Sequence, residues 1–236
     1  MGKILTNVAL CLCFLIVSSC AYNMRFVKSL HDAKKTIMKI EVWISSSDCN
    51  KSNKSCDLAM LYATGTGAVV NHKNKKTILT AHHVCYSEGV AELAASYNAS
   101  VMLKVTDREN KIYTADIKKT NVALDLCLLK IEEEKKLNIP SLLLSSKSPE
   151  YGERVYNLSA PLGIINGEMV PLFEGHFFGT IGNKEFYSLP SIGGTSGSPI
   201  LNRDGELVGM VHSVHSMFHH ISVSPSYADL WNFLKN

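Results

Sequence analysis

Charge is scarce in this 236-residue sequence: Asp, Glu, Lys and Arg make up 19%, and 24 basic against 21 acidic residues leave a formal excess of only +3. That excess is far too small to supply a phosphate-binding surface by bulk charge, so nucleic acid is not an expected partner. A membrane-spanning run is also missing. The apolar stretch Ile4 to Val17 has 14 residues where about 20 are needed to cross the hydrocarbon core, and the polar Tyr22, Asn23 and Arg25 follow closely. No C-x-x-C pair and no zinc-finger constellation of Cys and His occurs, so metal binding has no support and no cofactor is expected. The composition of a disordered chain is absent too, because 46% of the residues are hydrophobic and can fill a core.

The first twenty residues have the pattern of an export signal. Lys3 supplies a positive start, the apolar run follows, and Ser18 and Ser19 bring the small residues of a cleavage site. Residues 1–19 are expected to be removed, leaving 20–34 as a tether and lead-in. Val17-Ser18-Ser19-Cys20 resembles the lipobox of bacterial lipoproteins, which implies a lipid anchor at Cys20 and a membrane partner. Ordinary cleavage around Ser19-Cys20-Ala21 is the other reading of the same small residues. The mature chain is then expected in the periplasm or on the cell envelope if lipidated, and secreted otherwise, in either case where thiols oxidise. Of seven cysteines, Cys11, Cys13 and Cys20 fall in the signal and tether. Cys49 and Cys56 flank a polar loop and could close a disulfide; Cys85 and Cys127 could pair or stay as buried thiols.

From Ile37 onward, short apolar or alternating runs are separated by turn residues. They predict strands over 37–44, 67–70, 76–80, 101–105 and 122–131, then over 155–158, 169–173, 176–181, 185–189, 199–201 and 207–214. The charged stretch Glu132 to Lys136 reads as a solvated connector, giving expected domains at 35–138 and 139–236. Helical signals are confined to the ends. Residues 29–39 offer a turn or two, and Ser226 is a plausible N-cap for a helix running to Leu234. Many short strands and few helices predict an all-β chain of paired barrels or a sandwich.

The segment Ser191-Ile192-Gly193-Gly194-Thr195-Ser196-Gly197-Ser198-Pro199 points to chemistry. Glycines on both sides of a serine permit backbone angles that Cβ-bearing residues resist, so the loop can expose Oγ and turn N–H groups inward. A serine hydroxyl is a weak nucleophile and needs a base, itself oriented by a third group. Thr80-Ala81-His82-His83 puts two histidines at the end of an apolar strand. Asp125 lies within the predicted strand 122–131, where a buried carboxylate needs a partner such as an imidazole.

His, Asp and Ser in this order resemble the trypsin/chymotrypsin-like serine proteases. Thr80-Ala81-His82-His83 is similar to the family's T-A-A-H, and Asp125-Leu126-Cys127-Leu128-Leu129-Lys130 to its D-led strand. Gly194-Thr195-Ser196-Gly197-Ser198-Pro199 is similar to G-x-S-G-x-P. Gly65-Thr66-Gly67-Ala68-Val69-Val70 and Gly205 to Val211 are supporting matches, and Pro161-Leu162-Gly163 looks closer to bacterial trypsin-like and high-temperature-requirement-type proteases than to digestive enzymes. The resemblance covers roughly 37–234. It implies two six-stranded antiparallel β-barrels of the chymotrypsin-like kind with a short C-terminal helix, and protein or peptide substrates. It also implies catalysis by His83, Asp125 and Ser196, with Gly194 and Ser196 N–H groups as the oxyanion hole. Aligning the motif as Thr-Ala-X-His selects His83 over His82.

Departures from the family pattern matter as well. Thr195 stands where digestive members carry an Asp that pairs with a new N-terminal amine, so that mode of activation is not expected. Cys85 lies two positions after His83, whereas the family's usual cysteine follows directly, so the family disulfide is not carried over. Pro190, six residues before Ser196, argues against a Lys/Arg preference. His212 and Val214 are further candidates for the pocket wall, His212 as a receiver of an acidic side chain. Two other functions fit the same motifs: a catalytically silent peptide- or protein-binding member, and an esterase. The lack of a G-x-S-x-G elbow disfavours the usual hydrolase fold for the latter. Oligomeric state is not legible.

Overall fold

The computed structural model describes residues 24, 26–46, 59–131, 138–167, 169–215 and 217–236. The signal segment, the Cys20 anchor, the Cys49 and Cys56 pair and the charged stretch 132–136 lie outside the described residues.

A helix over 26–34 (α1) leads into six strands: β1 (Ile37–Ser46), β2 (Ala59–His72), β3 (Lys75–Ala81), β4 (Ala99–Thr106), β5 (Ile112–Asn121) and β6 (Leu126–Ile131). They close into an antiparallel barrel in the order β1-β2-β3-β6-β5-β4. Ile37, Ile40, Ile78, Leu79, Leu126, Leu128 and Leu129 are among the side chains that fill it. Two helices interrupt the strands between β3 and β4, α2 (His82–Cys85) and α3 (Glu88–Ser96), so helix is not confined to the chain ends. α3 buries Val90 and Ala94, four residues apart on one face.

The second unit comprises β7 (Arg154–Leu158), β8 (Leu172–Ile181), β9 (Lys184–Tyr187), β10 (Pro199–Leu201), β11 (Leu207–Met210), β12 (Ser213–His215) and β13 (Phe218–Pro225). Its order is β11-β10-β7-β8-β9-β13-β12, seven strands where the resemblance implies six. The extra strand comes from a break. β11 and β12 are two halves of one run split at Val211–His212, and the split residues still bridge the ends: the Met210 N–H donates to Ser224 Oγ at 3.0 Å and the His212 N–H to the Val223 carbonyl at 3.0 Å. Counted as one strand, the run pairs with β10 on one side and β13 on the other, which leaves six members in a half-barrel sheet. The chain is thus mostly β, chymotrypsin-like in architecture, and ends in the helix α4 (Tyr227–Lys235), capped by Ser226 Oγ accepting from the Asp229 N–H at 3.1 Å.

The two units share their packing. On β7, Tyr156 and Leu158 point into the larger core while Val155 points into the smaller one with Phe177, Tyr187 and Ile200, the alternation expected of a strand covered on both faces. α4 follows the second unit yet packs on the first, with Leu234 O bonded to His72 Nδ1 at 2.9 Å and Lys119 Nζ donating to Phe233 O at 2.7 Å.

Candidate active site

β3 ends at Ala81, and its last residues put His82 and His83 at the start of α2 rather than on the strand itself. Asp125 is not inside a strand either. Residues 122–125 form a turn, β6 begins only at Leu126, and Asp125 adopts the left-handed φ of 53°. Such a φ is uncommon outside glycine, but a short polar side chain tolerates it. The turn is held by the Asn121 side chain, whose Oδ1 accepts from the Leu124 N–H at 3.1 Å, and by the His82 N–H donating to the Asp125 carbonyl at 3.0 Å.

The consequence is a carboxylate gripped by one residue through both oxygens. The His83 backbone N–H donates to Asp125 Oδ1 at 2.9 Å, and the His83 ring Nδ1 bonds Oδ2 at 2.7 Å. An ionised carboxylate only accepts, so Nδ1 carries a proton, and in the neutral ring the lone pair lies on Nε2. His212 brings a second imidazole from the other unit, its Nδ1 3.6 Å from the same Oδ2, an electrostatic contact too long for a full hydrogen bond. Burial pushes the Asp125 pKa up, but the His212 contact and the bonds from His83 outweigh it and hold the carboxyl well below the usual range. His82 is half-buried, with its ring 6.0 Å from that of Tyr86.

Cys85 and Cys127 are disulfide-bonded, which resolves the choice between bridge and thiols. Each cysteine lies two residues after a member of the pair, Cys85 after His83 and Cys127 after Asp125. The bridge therefore fastens α2 to β6 beside the His83–Asp125 bonds.

The Ser196 loop is built against the end of β3. Gly197 has φ of +86°, and a Cβ there would collide with Thr80 Oγ1 and the Thr66 carbonyl, so only glycine fits. Gly194, at φ of +92°, is cradled by the Pro161–Gly163 turn; a Cβ on it would come within 2.6 Å of the Leu162 N and 2.7 Å of the Ala160 carbonyl oxygen. The Leu162 N–H donates to Gly193 O at 2.7 Å, the Ser198 N–H to Thr195 O at 3.0 Å, and Asn157 Nδ2 to Ser198 Oγ at 2.7 Å. Among the described residues, neither the Gly194 nor the Ser196 N–H has a hydrogen-bond acceptor. Ser196 Oγ likewise makes no hydrogen bond to a described residue, His83 included, and the serine is half-buried. Thr195 is buried and tied within its own loop, bonded to Ser191 Oγ at 2.8 Å and the Ile192 carbonyl at 2.7 Å.

Pro190 and Val214 are half-buried, and His212 turns Nδ1 toward Asp125. The sequence marked the Thr66 and Pro161–Gly163 segments only as family matches; their role with Asn157 as the shell that supports the Ser196 loop comes from the fold. The signal in the sequence is a threonine between two glycines at the start of an apolar run; in the fold, a Cβ on Gly67 would approach Ile78 Cγ2 to 2.6 Å.

A family model described as a trypsin-like peptidase domain matches residues 65–210. No curated protein matches the sequence. Among solved structures, the serine endoprotease from Yersinia pestis superposes with a TM-score of 0.64 at 18% identity over 88% of this chain, which spans only 64% of that protein's length. The Rv3671c protease from M. tuberculosis in its active form gives 0.64 at 15% identity, covering 87% of this chain and 82% of that one. Its inactive mutant form gives 0.62 at 14% identity, covering 87% and 88%.

Proposed function

Because the chain belongs to the trypsin-like peptidase family, we propose that it is an exported serine endopeptidase that cleaves peptide bonds through Ser196, His83 and Asp125. The observation that carries this reading is the pair of bonds from His83 to Asp125, at 2.9 and 2.7 Å, beside the Ser196 loop. Asp125 fixes the imidazole with Nε2 free to take the Ser196 proton as Oγ attacks the carbonyl carbon, and its negative charge stabilises the imidazolium that results. The Gly194 and Ser196 N–H groups receive the oxyanion of the tetrahedral intermediate. His83 then returns the proton to the leaving amine, and a water repeats the sequence on the acyl-enzyme. The Ser196–His83 hydrogen bond forms when substrate binds; such bonds are often loose in free enzymes.

Export and the Cys20 anchor rest on residues 1–20, and protein or peptide substrates on the family. Fluorescently quenched casein tests the reading. The full chain cleaves it, while Ser196→Ala lowers turnover by about 10⁶ and His83→Ala abolishes it beside an active His82→Ala. Casein cleavage by Ser196→Ala near the parent rate, or none by the parent, rejects the proposal. Ester hydrolysis without casein cleavage marks the esterase instead.

A further inference from the structure

Every polar group of Thr66 is engaged by the parts that make up the site. Thr66 lies on β2 with no exposed surface, just past the point where β2 pairs with β3, which runs from Ala68↔Leu79 to His72↔Lys75. Beyond that ladder its backbone partners change. The Thr66 N–H donates to the Ser196 carbonyl at 2.8 Å, and its own carbonyl accepts from Thr80 Oγ1, three residues before His83, at 2.8 Å. The side-chain hydroxyl joins two further loops: Oγ1 donates to the Gly194 carbonyl at 2.7 Å and accepts from the Ala160 N–H at 2.9 Å. The first unit thus grips both loops of the second that flank the N–H groups of Gly194 and Ser196.

We propose that Thr66 is a positioning residue whose hydroxyl fixes the Gly194–Thr195 peptide plane between those two N–H groups and, through Ala160, the turn that aims the first of them. A peptide plane turns as a unit, so an N–H is aimed by whatever holds the carbonyl of the residue before it. The Gly193–Gly194 plane is held by the Leu162 N–H, and the Thr195–Ser196 plane by the Ser198 N–H. The Gly194–Thr195 plane between them is held by Thr66 Oγ1. The same hydroxyl anchors Ala160, and with it the turn that supplies the Leu162 N–H. Without it, the Gly194 carbonyl loses its side-chain donor and the Ala160 N–H loses its acceptor, both in a buried site where unpaired polar groups are costly. With two glycines adjoining, the loop relaxes more readily than it tolerates the defect.

This rests on the serine mechanism proposed above, and the test separates the two. Thr66→Val removes the hydroxyl at nearly constant shape; Thr66→Ser keeps it. The probe is a fluorophosphonate, whose reaction at Ser196 passes through an oxyanion-bearing transition state, read as a saturable labelling rate and a half-saturation concentration. Thr66→Val lowers the maximal rate by about 10- to 100-fold, short of the 10²–10³ for losing a donor outright. Its half-saturation concentration changes less than twofold, and Thr66→Ser stays within about threefold of the parent in rate. Amide hydrogen exchange supplies a readout independent of activity: the Ala160 N–H loses protection in Thr66→Val and keeps it in Thr66→Ser, while distant β4 amides do not change. An unaltered labelling rate in Thr66→Val overturns the proposal, as does equal impairment of Thr66→Ser, or a rate loss matched by the unfolded fraction. If the parent neither labels nor cleaves casein, the enzymatic reading fails; exchange at Ala160 then decides whether the hydroxyl orders the loop.

Discussion

Asp125 meets three demands at one position: a left-handed backbone, a carboxylate accepting at both oxygens, and partners from both units. Its depressed pKa has a definite consequence for stability. The folded value lies below the unfolded value of about 3.9, so the ionised carboxylate stabilises the fold fully above that pH. The contribution is lost as pH falls through the lowered folded value. Urea unfolding of the parent and Asp125→Asn is therefore expected to show a stability gap at neutral pH that narrows between about pH 5 and pH 2. A pH-independent gap would place the effect in packing. His212→Ala removes a contact that lowers this pKa, so the Asp125 carboxyl titration followed by NMR moves upward. The sequence identified the three residues of the proposed triad by type and order. It did not reveal that Asp125 sits on a turn, because Val122-Ala123-Leu124 reads as strand until the Asn121 side chain is seen to hold the turn closed.

At the scale of elements, the site hangs on short pieces. α2 has four residues and carries His83; the Cys85–Cys127 bridge ties it to β6, the cysteines lying 42 positions apart in sequence. Cross-links of this span contribute about 2–4 kcal/mol, chiefly by restricting the unfolded chain. Replacing both cysteines by alanine is expected to lower unfolding stability by that amount in urea, with cleavage activity lost at a lower urea concentration than in the parent. Identical urea midpoints would contradict this. Strands with strong apolar runs, such as β3 and β6, were legible in the sequence. β5 was not, since only Tyr113 and Ala115 are buried along it and its register slips between Ile117 and Lys119. α3 was hidden by a short alanine-rich run with Gly89 in its first turn, and β13 because Phe218, His219 and His220 face solvent. The pairing of the two interior cysteines required the fold, which brings α2 to the end of β6.

Over the whole molecule, the two units are coupled by strand faces and by the chain ends. The Tyr156 face of β7 belongs to the first unit's core, α4 returns to the first unit, and α1 reaches the second before β1 begins. Phe26 lies 4.9 Å from the Tyr156 ring between centroids, and Ser29 Oγ donates to the Arg203 carbonyl at 3.1 Å. Phe26 is half-buried, so Phe26→Ala is expected to cost about 1–3 kcal/mol, below the 3–5 kcal/mol of a fully buried ring. Calorimetry should show one cooperative transition shifted downward; two separated transitions would mean that the units unfold independently. This coupling matters for function because His83 and Asp125 come from one unit and Ser196 and His212 from the other. The most direct test of their joint action is mass-spectrometric mapping of the full chain after fluorophosphonate treatment. A single adduct on Ser196, absent from Ser196→Ala and strongly reduced in His83→Ala and Asp125→Asn, is the predicted result. No adduct on the parent, or an undiminished one in His83→Ala, would contradict the assembled triad.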